Sequence, residues 1–191
     1  MNMKRNALIL FALCFCMLVP AQGRRKGQSA VHAEYGYILD QGDLKGGFMV
    51  KTGYSKVFGD AGFLGKVEGF YQDYEVTYMD EQILPYQKYG LNVNAGYSYE
   101  GLAPVYLNGW LGGYAAYETV NKGNTKDPKY SAEFPVSVEN FIFGLSGSAE
   151  VEFAFARRFS LLANYTQFYD LKSDFSKSNF ALFGGLKYYI N

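Results

Sequence analysis

Long stretches of the chain alternate between apolar and polar positions with a period of two, the signature of a strand that shows different surroundings to its two faces. The cleanest case runs from Phe141 to Phe155. Phe141, Phe143, Leu145, Gly147, Ala149, Val151, Phe153 and Phe155 fall on one face, and Ile142, Gly144, Ser146, Ser148, Glu150, Glu152 and Ala154 lie on the other. Leu91, Val93, Ala95, Tyr97 and Tyr99 likewise oppose Gly90, Asn92, Asn94, Gly96 and Ser98. Phe180, Leu182, Gly184, Leu186, Tyr188 and Ile190 oppose Asn179, Ala181, Gly185 and Lys187, and Val31, Ala33, Tyr35 and Tyr37 oppose His32, Glu34 and Gly36. Four further strands are expected at Gly47 to Phe58, Phe63 to Tyr78, Val105 to Val120 and Phe159 to Tyr169, making eight.

Most of these exceed the ~5–6 residues usual in soluble sheets and match or exceed the ~9–11 that a tilted strand needs to cross a bilayer. The connections alternate in length. Gly59-Asp60-Ala61, Gly101-Leu102-Ala103 and Ala156-Arg157-Arg158 read as tight turns, whereas Asp40 to Gly46, Met79 to Tyr86, Asn121 to Asn140 and Asp170 to Ser178 read as wider loops. Short turns on one rim and long loops on the other are the pattern of an outer-membrane barrel. Hydrocarbon offers the backbone no hydrogen-bond partner, so the sheet has to close, with the Phe180 to Ile190 strand pairing with the one that begins near Ala30. The expected fold is therefore all-β: an eight-stranded antiparallel transmembrane barrel over 30–191, apolar faces to lipid and both chain ends on the turn side, the periplasm. A water-soluble, lipocalin-like barrel with the faces reversed is the alternative.

The first residues read as an address rather than as part of the fold. Lys4 and Arg5 precede a 13-residue apolar run from Ala7 to Val19, and Val19-Pro20-Ala21 offers a cleavage site after Ala21. This is the layout of a secretory signal over 1–21, too short for a spanning helix; a retained anchor is the alternative. A polar lead-in, 22–29, follows. Both cysteines, Cys14 and Cys16, lie in the signal, and Leu13 and Phe15 before them do not suit a lipoprotein site. The processed chain is thus expected to hold neither a disulfide nor a thiolate metal site.

Composition narrows the function classes. Lys and Arg total 18 and Asp and Glu total 18; loss of Lys4 and Arg5 leaves 16 basic against 18 acidic side chains. Direct binding of nucleic acid through its phosphates calls for a basic excess, which is missing. Aromatics make up 18% of the chain, far above the level of disordered proteins, and a mean hydropathy of −0.14 is too polar for a bundle of membrane helices.

With apolar faces outward, the interior collects His32, Glu34, Lys51, Lys66, Glu68, Glu118, Glu150, Glu152 and Lys187. Eight strands enclose a space that side chains can fill, and unpaired charge there is costly, so these groups are expected to form a polar plug. Glu150 and Glu152 share a face, which also permits a binding or proton site. His32 and Glu34 could supply two members of a hydrolytic triad, making a lipid-modifying enzyme an alternative, although no serine is marked by its context. No histidine cluster for zinc and no glycine-rich phosphate loop occurs, so no cofactor is expected. In the long loop, Tyr130 and Phe134 stand among Lys122, Lys126 and Lys129 and either anchor a partner or fold the loop over the rim.

The run Gly113-Tyr114-Ala115-Ala116-Tyr117-Glu118-Thr119-Val120-Asn121 resembles the TraO family of conjugative-transposon proteins from Bacteroidota. The resemblance extends through Phe141-Ile142-Phe143-Gly144, Ala149-Glu150-Val151-Glu152, Arg157-Arg158-Phe159-Ser160-Leu161-Leu162 and the closing Gly185-Leu186-Lys187-Tyr188-Tyr189-Ile190-Asn191. Two positions depart from the family's pattern: Ala116 stands where members often carry Gly, and Thr166-Gln167-Phe168 where an Arg-Glu-Arg-like segment is usual. The resemblance implies a non-enzymatic outer-membrane component of a type IV secretion-like mating apparatus, in contact with lipid and with other transfer subunits. Such a barrel would anchor or seal the outer end of the apparatus without conducting DNA. Tyr117, Glu118 and Asn121, in the family-like run, are then candidate contact residues beside Tyr130 and Phe134. A stand-alone surface barrel for adhesion or membrane integrity is the other non-enzymatic alternative.

Overall fold

The computed structural model describes residues 27–39, 44–58, 62–78, 82–126, 133, 139–172 and 178–190. The expected signal, the Gly59 to Ala61 turn, Tyr130 and Phe134 lie outside these residues.

Eight antiparallel strands, each paired with its sequence neighbours, close into a barrel: β1 (Ser29–Ile38), β2 (Leu44–Val57), β3 (Phe63–Tyr78), β4 (Gln82–Leu102), β5 (Val105–Val120), β6 (Glu139–Ala154), β7 (Phe159–Asp170) and β8 (Ser178–Tyr189). The seam joins the first strand to the last in register from Ala30↔Tyr189 to Ile38↔Ala181, as expected from the need to leave no open edge. Among the described residues the single helical element is a 3-10 turn, Asn121–Gly123, and no helix is long and apolar enough to cross a membrane.

The sidedness follows the alternation. Leu91, Val93 and Leu111 are 62%, 58% and 76% exposed, while Asn92 and Asn94 on the intervening positions are 3% and 4% exposed. Lipid-compatible side chains thus cover the outside and polar ones are enclosed, the reverse of a water-soluble barrel. Aromatic residues gather at the strand ends. Phe63 packs on Tyr97 and Phe159 on Tyr188 near the turns, and Tyr35 stacks on Phe48, with Tyr89 against Tyr117, toward the loops. Such girdles suit the two membrane–water interfaces.

β2 begins at Leu44, three residues before the expected Gly47, and β4 differs from the sequence reading at both ends. The segment expected as a loop from Met79 to Tyr86 is strand from Gln82 onward, in register with β3 through Val76↔Leu84 and Tyr74↔Tyr86. Its alternation is masked because the inward positions Leu84 and Tyr86 are themselves apolar and both are buried. Pro85 is tolerated there because the ladder with β5 stops at Tyr86↔Val120, so beyond it β4 is an edge that needs no N–H from proline. At the other end β4 runs on through Leu102, and the turn expected at Gly101 to Ala103 is made by Ala103 and Pro104, joined by a cis peptide bond.

Candidate functional site: the filled lumen

The nine residues expected inside all point inward, and none is more than 4% exposed. Eight of them join into one lattice in the half of the lumen nearer the turns. It starts at Glu34, whose carboxylate lies 3.2 Å from Lys51 Nζ and 3.8 Å from His32 Nε2. Both bases also reach Glu68, His32 at 3.1 Å and Lys51 at 3.6 Å. Lys66 bridges Glu68 at 3.0 Å to Glu150 at 3.7 Å. Lys187 then links Glu150 at 3.1 Å to Glu152 at 2.7 Å. Four carboxylates face three ammonium groups and one imidazole. Glu150 and Glu152 do share a face, as the i, i+2 spacing requires, and both are held by Lys187.

Neutral donors add to the lattice. Asn94 donates to Glu68 at 3.0 Å, Asn108 to Glu150 at 2.8 Å, and the Tyr189 hydroxyl to Glu152. Ser146 donates to the amide oxygens of Asn92 and Asn94, and Lys51 to Thr166. Buried charge is tolerated only with partners of this kind, because the low-dielectric interior penalises any group left alone. The strand register supplies them: Asn108 pairs with Glu150 across β5 and β6, and Glu68 with Asn92 across β3 and β4.

The half nearer the loops is built differently: there the expected polar plug gives way to a largely apolar core. Phe70, Tyr114 and Phe168 pack as a triangle with ring centroids 5.5–5.8 Å apart, and Tyr74 stacks on Tyr86 at 4.5 Å. Ile38, Met49, Val76, Leu84, Val120, Ile142 and Phe183 complete this core. Gly144 makes room for it, since a Cβ at that position would collide with the Tyr114 ring. Embedded among the rings is a second ionic group. Lys88 Nζ lies 2.7 Å and 2.8 Å from the two oxygens of Asp170, to which the Tyr114 hydroxyl also donates. Glu118 belongs to this group and accepts from the Tyr86 hydroxyl, so it stands apart from the other eight. Lys88 and Asp170 escaped the sequence reading because each lies just beyond a strand end as drawn there. Extending the inward face Asn92, Gly90 by one more step of two reaches Lys88, and extending Asn164, Thr166, Phe168 reaches Asp170.

A cation–π contact joins the two halves and another closes the turn side. Lys51 lies over the Phe183 ring at 4.2 Å, and Lys66 lies over Trp110 at 4.5 Å nearer the turn-side mouth. Trp110 forms a small apolar cap there with Val57 and Leu64.

The candidate contact residues diverge. Tyr117 lies on the outer face with its hydroxyl 3.0 Å from Glu139, whereas Glu118 points into the lumen. Asn121 is buried at the rim at φ 53°, where its side-chain amide donates to the carbonyls of Asn124 and Lys126. Asn121 is therefore a loop-forming residue. The side chains of the family-like run do not converge on one surface.

His32, Glu34 and Glu68 offer donor atoms within 4.8 Å of one another, a spacing that could hold a metal ion. The charge of such an ion is already supplied by Lys51 and Lys66 on the same carboxylates, so the donor set fits an internal salt bridge better than a metal centre. The groups on His32 Nε2 are Glu34 and Glu68, and its Nδ1 has no hydrogen-bond partner among the described residues. The hydroxyl that a hydrolytic triad would place beside it is not among these contacts.

No family model matches the chain, and no curated protein is similar to it in sequence. Solved structures are similar in fold. The Neisserial surface protein A shares 15% identity at a TM-score of 0.58, over 87% of this chain and 99% of its own. OprG from Pseudomonas aeruginosa shares 11% identity at a TM-score of 0.54, over 88% and 98%. Ail, the attachment invasion locus protein of Yersinia pestis, shares 15% identity at a TM-score of 0.51, over 86% and 99%. The chain thus has the fold of an eight-stranded outer-membrane barrel.

Proposed function

We propose that this protein is an integral outer-membrane barrel with both ends in the periplasm and a structural, non-enzymatic task, serving as a component of a conjugative DNA-transfer apparatus. One observation carries the structural half of this reading: the lumen is filled from the turn-side lattice to the loop-side ring cluster, and its ionisable groups are engaged with each other. A filled barrel anchors or seals; it does not conduct a DNA strand. His32, the residue an enzyme would need, is enclosed between two carboxylates. The conjugative half rests on the resemblance of Gly113 to Asn121, and of the segments after it, to TraO proteins. Tyr117, which faces outward, and the loop residues Tyr130 and Phe134 are the side chains proposed to meet other transfer subunits.

Deleting the gene and measuring transfer frequency in a mating assay tests the task. A drop restored by the wild-type copy supports it, and unchanged transfer refutes it. The second reading is a stand-alone surface barrel for adhesion or membrane integrity, favoured by the fold shared with the Neisserial surface protein A and Ail. It predicts normal mating together with altered detergent sensitivity or surface attachment.

A further inference from the structure

The outer wall between β2 and β5 carries a groove of about 660 Å³. One rung of the sheet explains it. Lys56 pairs with Gly65, Gly65 with Ala95, and Ala95 with Leu111, so a single row across four strands reads basic, small, small, large. The neighbouring rows carry Tyr54, Val67 and Val93 on the loop side and Phe63 with Tyr97 on the turn side. Two small residues set among large ones leave a trough, open at Ala95 and occupied at its Gly65 end by the Phe58 ring. That ring forms one flank. The volume falls within the ~300–1,000 Å³ typical of small-molecule sites.

The outward-facing side chains of this trough are aliphatic or aromatic except for Lys56, which is exposed on its rim, and the one hydroxyl among them, that of Tyr54, donates to Ser29. Lys56 makes no ion pair or hydrogen bond among the described residues. It stands one residue before the end of β2, so its ammonium reaches the turn-side interface by extending along its own aliphatic stem. Apolar walls below an exposed cation match a lipid whose chain lies in the groove and whose phosphate meets the ammonium.

We propose that this groove holds an acyl chain of an anionic phospholipid from the turn-side leaflet, with Lys56 on the phosphate. The proposal rests on the membrane-barrel reading above. The protein carries its own reporter. Its one tryptophan, Trp110, lies inside the wall with its ring against Gly96, next to the Ala95 floor of the groove.

The test reconstitutes the barrel in vesicles containing phospholipids with brominated acyl chains, which quench a nearby indole. Brominated phosphatidylglycerol should quench Trp110 with an apparent affinity about fivefold above brominated phosphatidylcholine, the factor that one basic residue near an anionic surface contributes. Lys56→Gln should equalise the two lipids, and Ala95→Leu, which fills the trough, should remove the excess quenching by either. Equal quenching by both lipids in the wild type, or a preference that survives Lys56→Gln, overturns the proposal. So does relief of quenching by unlabelled lipid A but not by unlabelled phosphatidylglycerol, which would place the ligand in the other leaflet. A groove-dependent dimer seen by crosslinking, in place of lipid selectivity, would make a second copy the occupant. A chain that does not insert, judged by absence of a heat-dependent gel shift, refutes the membrane reading itself; an inserted barrel without lipid preference refutes the lipid site alone.

Discussion

The two halves of the lumen solve the same packing problem in opposite ways. Near the turns, four carboxylates and four bases share one another, and most members have two or more partners. Lys66 lies between Glu68 and Glu150, and Lys51 between Glu34 and Glu68. Near the loops, aromatic and aliphatic side chains fill the space, and one lysine relies on Asp170, its only ion-pair partner among the described residues. A shared lattice tolerates the loss of a member because the remaining groups redistribute. A lone pair in apolar surroundings does not.

This difference can be broken first at the lone pair. Asp170→Ala leaves the Lys88 ammonium among rings with no carboxylate bound to it and should destabilise the barrel by about 3–5 kcal/mol. Urea titration of the protein in lipid vesicles, followed by Trp110 fluorescence, measures the loss. Adding Lys88→Met to an Asp170→Leu chain removes both charges and should return stability to near the wild-type value. If the double variant is as unstable as Asp170→Ala, packing rather than unpaired charge is responsible.

Phe168→Ala opens the ring triangle and should cost roughly 3–5 kcal/mol, measured in the same titration. A loss below about 1 kcal/mol would mean that the cluster collapses freely and does not support the wall. In the lattice, Glu68→Gln should cost less, on the order of 1–3 kcal/mol, because Lys51 keeps Glu34 and Lys66 keeps Glu150. A penalty larger than that of Asp170→Ala would reverse the comparison. The smallest effect is expected at the rim. Tyr117→Phe removes one exposed hydrogen bond to Glu139 and should leave the urea midpoint where it is in the wild type. In a mating assay the same variant probes the proposed partner contact separately from folding.

Much of the fold was legible because the two faces of each strand meet different media. Glu150 and Glu152 against Val151, or Asn92 and Asn94 against Val93, can be assigned inside or outside from residue type alone. The charged half of the lumen was legible for the same reason, since a charge on an otherwise apolar strand has only one tolerable side. The loop-side half was not legible. Around Ile83-Leu84-Pro85-Tyr86 both faces are apolar, so alternation carries no signal and the strand reads as a loop. Phe70, Tyr114 and Phe168 are likewise indistinguishable by type from lipid-facing aromatics; only continuous parity along the strand places them inside. The Lys88–Asp170 pair unites residues 82 positions apart in the chain, and such a partnership follows from barrel closure rather than from any local spacing. The groove at Lys56 is of the same kind, because its row of Lys56, Gly65, Ala95 and Leu111 exists only once four strands are in register.

Sidedness is tested most directly along β4. A chain that begins at Gln22 has no cysteine, so single cysteines can be placed at Leu91, Asn92, Val93 and Asn94 and spin-labelled in vesicles. Labels at 91 and 93 should collide readily with oxygen dissolved in the lipid, while those at 92 and 94 should be shielded from both oxygen and a water-soluble relaxant. Oxygen contact at 92 and 94 with the odd positions shielded, or no alternation at all, would contradict a barrel that turns its apolar faces to the membrane and its charges inward.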